Sequence, residues 1–240
     1  MLKKFSSLFL SLLLFLTTFN STFADDSNLN INNLSPEVTN YSNLDNKEKM
    51  PNAIPMKVTA NSDGTGCKVY IGNLGIDALD LVTVTVKATG YSAKSQKAKV
   101  IPVAGKTFSF NLPMIKANTT YDVTIKIQDG GKTKIKTGQA KLQYSEARLH
   151  GIWHKGTFSS RAASLDYHFN KHKGEVPGTS NMVGYISKAI VYRSELSRST
   201  SNVKITTGTG SIPSKKYKHL KDGRFIILTN SGREILSFGK

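Results

Sequence analysis

Cysteine, tryptophan and acidic residues are scarce in this sequence of 240 residues. The single cysteine, Cys67, excludes an internal disulfide, so the chain is not a disulfide-linked scaffold. Asp and Glu number 16 against 33 Lys and Arg, which gives a formal net charge of +17. An anionic partner is therefore expected, whereas a two-metal site, which is built on converging carboxylates, has few residues from which to form.

Long apolar runs are absent after the first residues of the chain. Lys3 and Lys4 precede an apolar run over residues 5–16, and small residues follow at Thr22 and Ala24. This order is typical of a secretory signal peptide, which we predict over residues 1–24. The mature protein is expected to be secreted, with no stable insertion into a membrane once the signal is removed.

The chain after the signal peptide divides by composition into a tether and a β-rich region. Residues 25–51 are rich in Asn, Ser and Asp and show no periodicity, which predicts a disordered tether. Residues 52–145 alternate apolar and polar side chains in six or seven short runs separated by turn signals. This pattern predicts an all-β, immunoglobulin-like sandwich.

The stretch L-P-M-I-K-A-N-T-T-Y-D-V, residues 112–123, resembles the approach to the corner tyrosine in fibronectin type III and related immunoglobulin-like modules. The resemblance covers about a dozen residues. It implies that Tyr121 is the corner tyrosine, with its hydroxyl bound back to the preceding loop.

The end of the chain has a different, mixed pattern. Residues 146–158 predict a linker whose sole tryptophan, Trp153, packs against a neighbouring domain. Residues 159–240 have the periodicity of two helices followed by short strands, which predicts a small α+β domain of two helices on an antiparallel sheet. The last 90 residues carry 15 Lys and Arg against five Asp and Glu, so the strongest attraction for polyanions is expected here.

Two histidines lie beside an apolar helix face in S-L-D-Y-H-F-N-K-H-K-G-E-V, residues 164–176. At 100° per residue, Leu165 and Phe169 share one face, and His168 and His172 lie on or next to it. Imidazole titrates near neutral pH, so such a pair can take and give protons where water is partly excluded. A histidine on an apolar face is more often a half-buried structural residue, and this alternative stays open.

Metal-free cleavage of RNA needs a base for the 2′-hydroxyl proton, an acid for the leaving 5′-oxygen, and cationic or hydroxyl donors for the charged intermediate. The residues of the last 90 positions supply all three. The predicted catalytic residues are His168, His172, Lys171, Tyr217 and Arg224. The predicted substrate-binding residues are Lys204, Thr206, Thr207, Lys215, Lys216, His219, Thr229 and Ser237. Neither a metal site nor a cofactor is predicted.

The 164–176 stretch, the helix after it and the closing D-G-R-F-I-I-L-T-N-S-G-R-E-I-L-S-F-G-K resemble the C-terminal domains of secreted bacterial polymorphic toxins. The order of helices before sheet also resembles the barnase, EndoU, colicin D and RelE group of metal-independent ribonucleases. These resemblances imply a ribonuclease toxin, with RNA as its partner and an immunity protein as a possible second partner. One departure is Lys173, which separates His172 from the glycine that directly follows it in the toxin pattern.

A second interpretation fits the same charge. In it the chain is a non-enzymatic secreted or surface protein whose basic C-terminal domain binds a polyanion, either a wall polymer or nucleic acid. Charge is common to both interpretations, so the arrangement of the two histidines against the sheet has to separate them.

Overall fold

The computed structural model of the chain describes residues 35–41, 56–72, 81–99, 105–129 and 131–240. The predicted signal peptide, residues 1–24, lies outside the described residues. No helix within the described ranges has both the length and the apolar composition to span a bilayer.

The described residues form three antiparallel sheets and three helices, and most of their regular structure is β. The strands before the helices are β1 Glu37–Tyr41, β2 Met56–Ala60, β3 Gly66–Ile71, β4 Leu81–Ala88, β5 Lys94–Lys99, β6 Lys106–Asn111, β7 Asn118–Asp129 and β8 Lys132–Gln143. The helices are α1 Glu146–Leu149, α2 Arg161–His172 and α3 Met182–Arg198. The last strands are β9 Val203–Thr207, β10 Ser214–His219, β11 Phe225–Thr229 and β12 Ile235–Gly239.

Two of the sheets form the β-rich part. One has the strand order β1-β8-β7-β4-β5 and the other β2-β3-β6. Alternate residues of each sheet are buried, as Val84 and Ile125 show for the first and Val69 and Phe108 for the second, and all join one apolar core. This alternation follows from the two-residue repeat of a strand, whose side chains point to opposite faces.

The prediction of a disordered tether over residues 25–51 is wrong for residues 37–41. Residues 37–41 form β1, which pairs along its whole length with β8, from Glu37 opposite Gln143 to Tyr41 opposite Gln139. Glu37 also accepts hydrogen bonds from Ser145 Oγ at 2.8 Å and from Arg148 Nε at 3.2 Å. The strand cannot be recognised from the polar composition of this segment. It is stabilised by backbone pairing with β8 and by contacts with residues more than 100 positions away along the chain.

Tyr121 has the hydrogen bond predicted for it. Its side chain is fully buried and its hydroxyl donates to the carbonyl oxygen of Leu112 at 3.0 Å, just after β6. The buried hydroxyl is thereby satisfied, and the loop between β6 and β7 is held to the sheet.

The predicted order of two helices and a small sheet is found in residues 159–240. The N-cap of α2 is Ser160, whose Oγ accepts from the backbone N–H of Ala163 at 3.0 Å, and the N-cap of α3 is Asn181. The four last strands form one antiparallel sheet in the order β12-β11-β10-β9. Helix α3 covers one face of this sheet through Tyr185 and Tyr192, whose rings contact Phe238 of β12.

The segment predicted as a linker, residues 146–158, contains α1 and is closely packed. Trp153 is fully buried, forms a parallel bridge with Ile235 of β12, and donates from Nε1 to Ser164 Oγ at 3.2 Å. Trp153 therefore packs against the C-terminal part, and the centroid of its ring lies 5.8 Å from that of Tyr185.

The β-rich part and the C-terminal part contact each other at the middle of α2 and at the start of α3. Asp166 of α2 accepts from the backbone N–H of Ala117 at 2.7 Å, and the backbone N–H of Met182 donates to the carbonyl of Met114 at 2.8 Å. Burial raises the pKa of Asp166, while the Ala117 N–H and the charge of Lys116 act to lower it. The sequence repeat changes from two residues to 3.6 residues across residues 145–160, and separate folding of residues 52–145 and 155–240 is a prediction from that change.

Candidate active site

Helix α2 brings His168 and His172 to the edge of the sheet. Leu165 and Phe169 are fully buried and fix the apolar side of the helix against the core. The two histidines lie one turn apart beside this side, with their rings parallel and their centroids 6.4 Å apart. Contacts between α2 and β12 hold the helix at that end of the sheet.

The sheet face that α3 does not cover faces the two histidines. Strand pairing aligns Thr206, Lys216, Ile227 and Ser237 in one row across all four strands. Directly paired residues lie on the same face of a sheet, so the four side chains share one surface. Ile227 and Ser237 line a cleft together with His168, which places this row beside His168.

A second row lies beside His172. It consists of Lys204, Lys218, Phe225 and Gly239, paired in the same way across the strands. The ring of Phe225 is perpendicular to that of His172, with the centroids 5.4 Å apart. Four residues of a helix advance about 6 Å and two residues of a strand about 6.6 Å, so two helix residues that are four apart match two neighbouring rows.

Lys216 connects the two rows. Its Nζ lies 4.2 Å from the centroid of Phe225, in cation–π contact with that ring. The ammonium group thus lies near the aromatic contact of His172 while its backbone belongs to the row of His168. A phosphate held between the histidines would meet this positive charge.

His168 is held in its neutral form. Its Nδ1 is buried without a hydrogen-bond partner among the described residues, and the residue lines the cleft. Burial, followed by the charges of His172 and Lys171, lowers the pKa of His168 from 6.5 to about 4. This value lies below the near-neutral titration expected from the sequence, because the surrounding rings of Trp153 and Phe158 exclude water from much of the imidazole.

His172 is buried and bound to a carboxylate. Its Nδ1 lies 2.9 Å from Glu175 Oε2, and the same oxygen accepts from the backbone N–H of Lys240 at 2.8 Å. Burial acts to raise the pKa of Glu175, but the hydrogen bonds from Lys240 and His172 outweigh it and the pKa is lowered. The carboxylate thus fixes the orientation of the ring through Nδ1.

The pairing of His172 with Glu175 requires glycine at position 239. A Cβ there would lie 2.6 Å from His172 Nδ1 and 2.8 Å from Glu175 Oε2. Gly239→Ala is therefore expected to displace both groups and to lower the free energy of unfolding by about 1–3 kcal/mol, the usual cost of overpacking. Urea unfolding followed by circular dichroism measures this change.

The matched control for this substitution is Gly210→Ala. A Cβ at Gly210 meets nothing within 4 Å, so its unfolding curve should stay within about 0.5 kcal/mol of wild type. Equal curves for wild type, Gly239→Ala and Gly210→Ala would contradict the close packing around His172.

A loop opposite α2 closes the cleft. Residues 208–213 connect β9 to β10, and residues 208–212 line a space of about 190 Å³ with the segment 156–158 and His168. Gly208 permits the close approach of this loop to β10, because a Cβ there would overlap Ser214 Oγ. Six of the residues that line the space carry hydroxyl groups: Thr157, Ser164, Thr209, Ser211, Ser214 and Ser237.

Within the described ranges, no group of three or more His, Cys, Asp or Glu side chains is arranged to hold a metal ion. Comparison of the sequence with protein-family models gives no match, and comparison with curated proteins gives no significant one. A function for this chain therefore has to be argued from the cleft itself.

Six of the predicted site residues are brought together on the open face or beside it. They are His168, His172, Lys204, Thr206, Lys216 and Ser237. Thr229 shares this face at its end, opposite Ser214, where its Oγ1 lies 3.0 Å from Ser231 Oγ. Lys171 is exposed on another side of α2, beside Lys116 and Asp166.

Five predicted residues lie away from the cleft. Thr207, Lys215, Tyr217 and His219 alternate with the open-face residues and belong to the other face of the sheet. Tyr217 is 5% exposed, and burial raises its pKa. Arg224 is engaged by Asp222 at 2.7 Å and by Glu195 at 3.5 Å, so its charge is already paired.

The sequence prediction missed part of the cleft and the partner of His172. Glu175 follows His172 by three residues, which is helical spacing for an ion pair, although it lies just beyond the end of α2. The run G-T-G-S-I-P at residues 208–213 is a loop signal between two strands, and it could have indicated a wall of backbone and hydroxyl groups.

Proposed function

We propose that the C-terminal part of the chain cleaves RNA by metal-independent transesterification at the 2′-hydroxyl. The observation that carries the proposal is the pair of imidazoles, His168 and His172, on two adjacent rows of a basic, hydroxyl-bearing sheet face. One imidazole is neutral and open to a cleft, and the other is bound to a carboxylate. A neutral ring beside a cleft suits a base, and a ring bound to a carboxylate suits an acid.

The proton transfers follow from these environments. Nε2 of His168 takes the proton of the 2′-hydroxyl, and that oxygen attacks the adjacent phosphorus. The bond from phosphorus to the 5′-oxygen breaks, and Nε2 of His172 donates a proton to the leaving oxygen. The products are a 2′,3′-cyclic phosphate and a free 5′-hydroxyl, with Glu175 supplying the counter-charge for His172.

The row beside His168 supplies the groups that stabilise negative charge. Lys216 offers an ammonium group, and Thr206 and Ser237 offer hydroxyl donors on the same face. Charge develops on the non-bridging oxygens in the transition state, and donors fixed on a rigid sheet lower its energy without reorganising.

The same proposal covers the class of protein, the β-rich part and a natural inhibitor. We infer that the chain is a secreted bacterial toxin, that the β-rich part is an immunoglobulin-like or fibronectin type III-like module, and that an immunity protein is its natural inhibitor. The signal-like residues 1–24 support secretion, and the hydroxyl of Tyr121 on Leu112 supports the module. The toxin-like pattern around residues 164–176 supports the assignment as a bacterial toxin with an immunity protein as inhibitor.

The test is incubation of the purified protein with total RNA in the presence of a metal chelator. We expect RNA fragments that carry 2′,3′-cyclic phosphate and 5′-hydroxyl ends. A DNA strand of matched sequence is the control, because it lacks the 2′-hydroxyl and should stay intact. Loss of RNA cleavage on adding chelator would contradict the mechanism.

Binding without cleavage would favour the second interpretation, a non-enzymatic polyanion-binding protein. That outcome is recognised by an affinity for RNA and DNA alike that falls steeply with salt, since the last 90 residues carry 15 Lys and Arg. Teichoic acid and nucleic acid would then be compared as ligands.

A further inference from the structure

The cleft beside His168 is more apolar than a phosphate site requires. Four apolar side chains line it, from Phe158, Ile212, Ile227 and Leu236. Phosphate and ribose are strongly polar and gain nothing from such a lining. Some other part of a nucleic acid therefore suits the interior of this cleft.

The size and lining of the cleft fit a partly apolar ring. Its volume of about 190 Å³ accommodates one nucleobase but not a base pair. Phe158 is half-buried and its ring lies at one side, 6.0 Å from the ring of His168 and 5.0 Å from that of Tyr167. A ring face held in this way by its neighbours is a platform on which a base can stack.

The loop between β9 and β10 offers partners for the edge of a base. Residues 208–212 of this loop line the cleft, and Thr209 and Ser211 among them carry hydroxyl groups. Gly208 lets this backbone approach β10 closely. Polar edges and apolar faces are both needed to hold a nucleobase, and the residues that line the cleft supply groups of both kinds.

We propose that this cleft binds a single unpaired nucleobase, stacked on Phe158, next to the phosphate at which His168 and His172 transfer protons. The substrate is then single-stranded RNA, or a loop whose base can leave its stack. A base inside a duplex cannot enter without being unpaired. This inference rests on the proposed function for the identity of the nucleic acid, but the binding site itself does not depend on cleavage.

The test measures binding of small probes by the fluorescence of Trp153, the sole tryptophan. Its ring lies 6.2 Å from that of His168, and its Nε1 donates to Ser164 Oγ in the cleft wall. The probes are the four nucleoside 5′-monophosphates, ribose 5-phosphate and inorganic phosphate. At least one monophosphate should bind about tenfold or more tightly than ribose 5-phosphate, because stacking adds to the phosphate contact.

Two variants of Phe158 test the platform. Phe158→Ala removes the ring, and Phe158→Leu keeps an apolar side chain without a ring face; both should abolish the preference for the monophosphate over ribose 5-phosphate. The control is Tyr70→Ala, which removes an exposed aromatic side chain of β3 and should leave the preference unchanged.

The two proposals fail in different ways. Equal affinity for monophosphates and ribose 5-phosphate, no detectable monophosphate binding, or a preference that survives both Phe158 variants would overturn the base site, whether or not RNA is cleaved. A base preference that depends on Phe158, in a protein that cleaves no RNA, would keep the base site and overturn the ribonuclease.

Discussion

His168→Ala is expected to lower the rate of RNA cleavage by about 10²–10⁴-fold, the range for loss of a general acid or base. RNA binding should change little, because the cationic residues of the sheet face are retained. The fold should also be retained, since Nδ1 of this histidine has no partner to lose within the described part of the chain. Single-turnover cleavage of a fluorescent oligoribonucleotide measures the rate.

His150→Ala is the matched control, because His150 is exposed at the end of α1 and lies outside the cleft. It should cleave at the wild-type rate. A base whose pKa is about 4 is deprotonated above that pH. Raising the pH should therefore increase kcat/KM around pH 4 and not around pH 6.5. Cleavage by His168→Ala at the wild-type rate would remove this residue from the mechanism.

The free energy of unfolding is expected to fall by up to about 3 kcal/mol between pH 6.5 and pH 4 through His168 alone. The unfolded chain binds a proton at this ring as the pH drops below 6.5, whereas in the folded protein the pKa is about 4. The stabilisation is thus complete above the unfolded-state pKa and is lost as the pH falls towards the folded-state pKa. A difference of this size in pKa corresponds to about 3 kcal/mol.

His168→Gln provides the comparison, because glutamine does not titrate. Urea unfolding at pH 7 and at pH 4 should show the stability advantage of wild type over the variant shrinking by about 3 kcal/mol. The lowered pKa of Glu175 also removes stability at acidic pH, but it does so in both proteins and cancels in the difference. Equal losses in wild type and variant would mean that the ring of His168 is accessible to water.

The C-terminal fold was predictable because its local signals agree with its packing. Ser160 caps α2, apolar residues such as Leu165 and Phe169 recur at helical spacing, and Gly223 and Gly232 have the positive φ that their turns need. Strand β1 was not predictable in this way. Its residues alternate weakly, and its pairing partner β8 lies about 100 residues away.

The site was predictable as a set of residue types but not as a set of neighbours. His168 and His172 follow from helical periodicity, and alternation along β9 and β10 could divide Thr206 from Thr207 once the register is known. The sequence leaves open which of the two alternating sets of strand residues, the one with Thr206 or the one with Thr207, faces α2. Arg224 shows the same limit, since its pairing with Asp222 and Glu195 removes a cation that composition alone leaves available.

The bridge at Trp153 also decides where the four-stranded sheet can meet another molecule. The outer side of β12 is occupied, because Ile235 exchanges backbone hydrogen bonds of 2.8 Å with Ile152 and His154. Within the described ranges the free edge of this sheet is β9, which is five residues long and carries Lys204. A short, positively charged edge strand is a poor template for pairing with a second copy, so charge protects this protein from edge-to-edge aggregation until salt screens it.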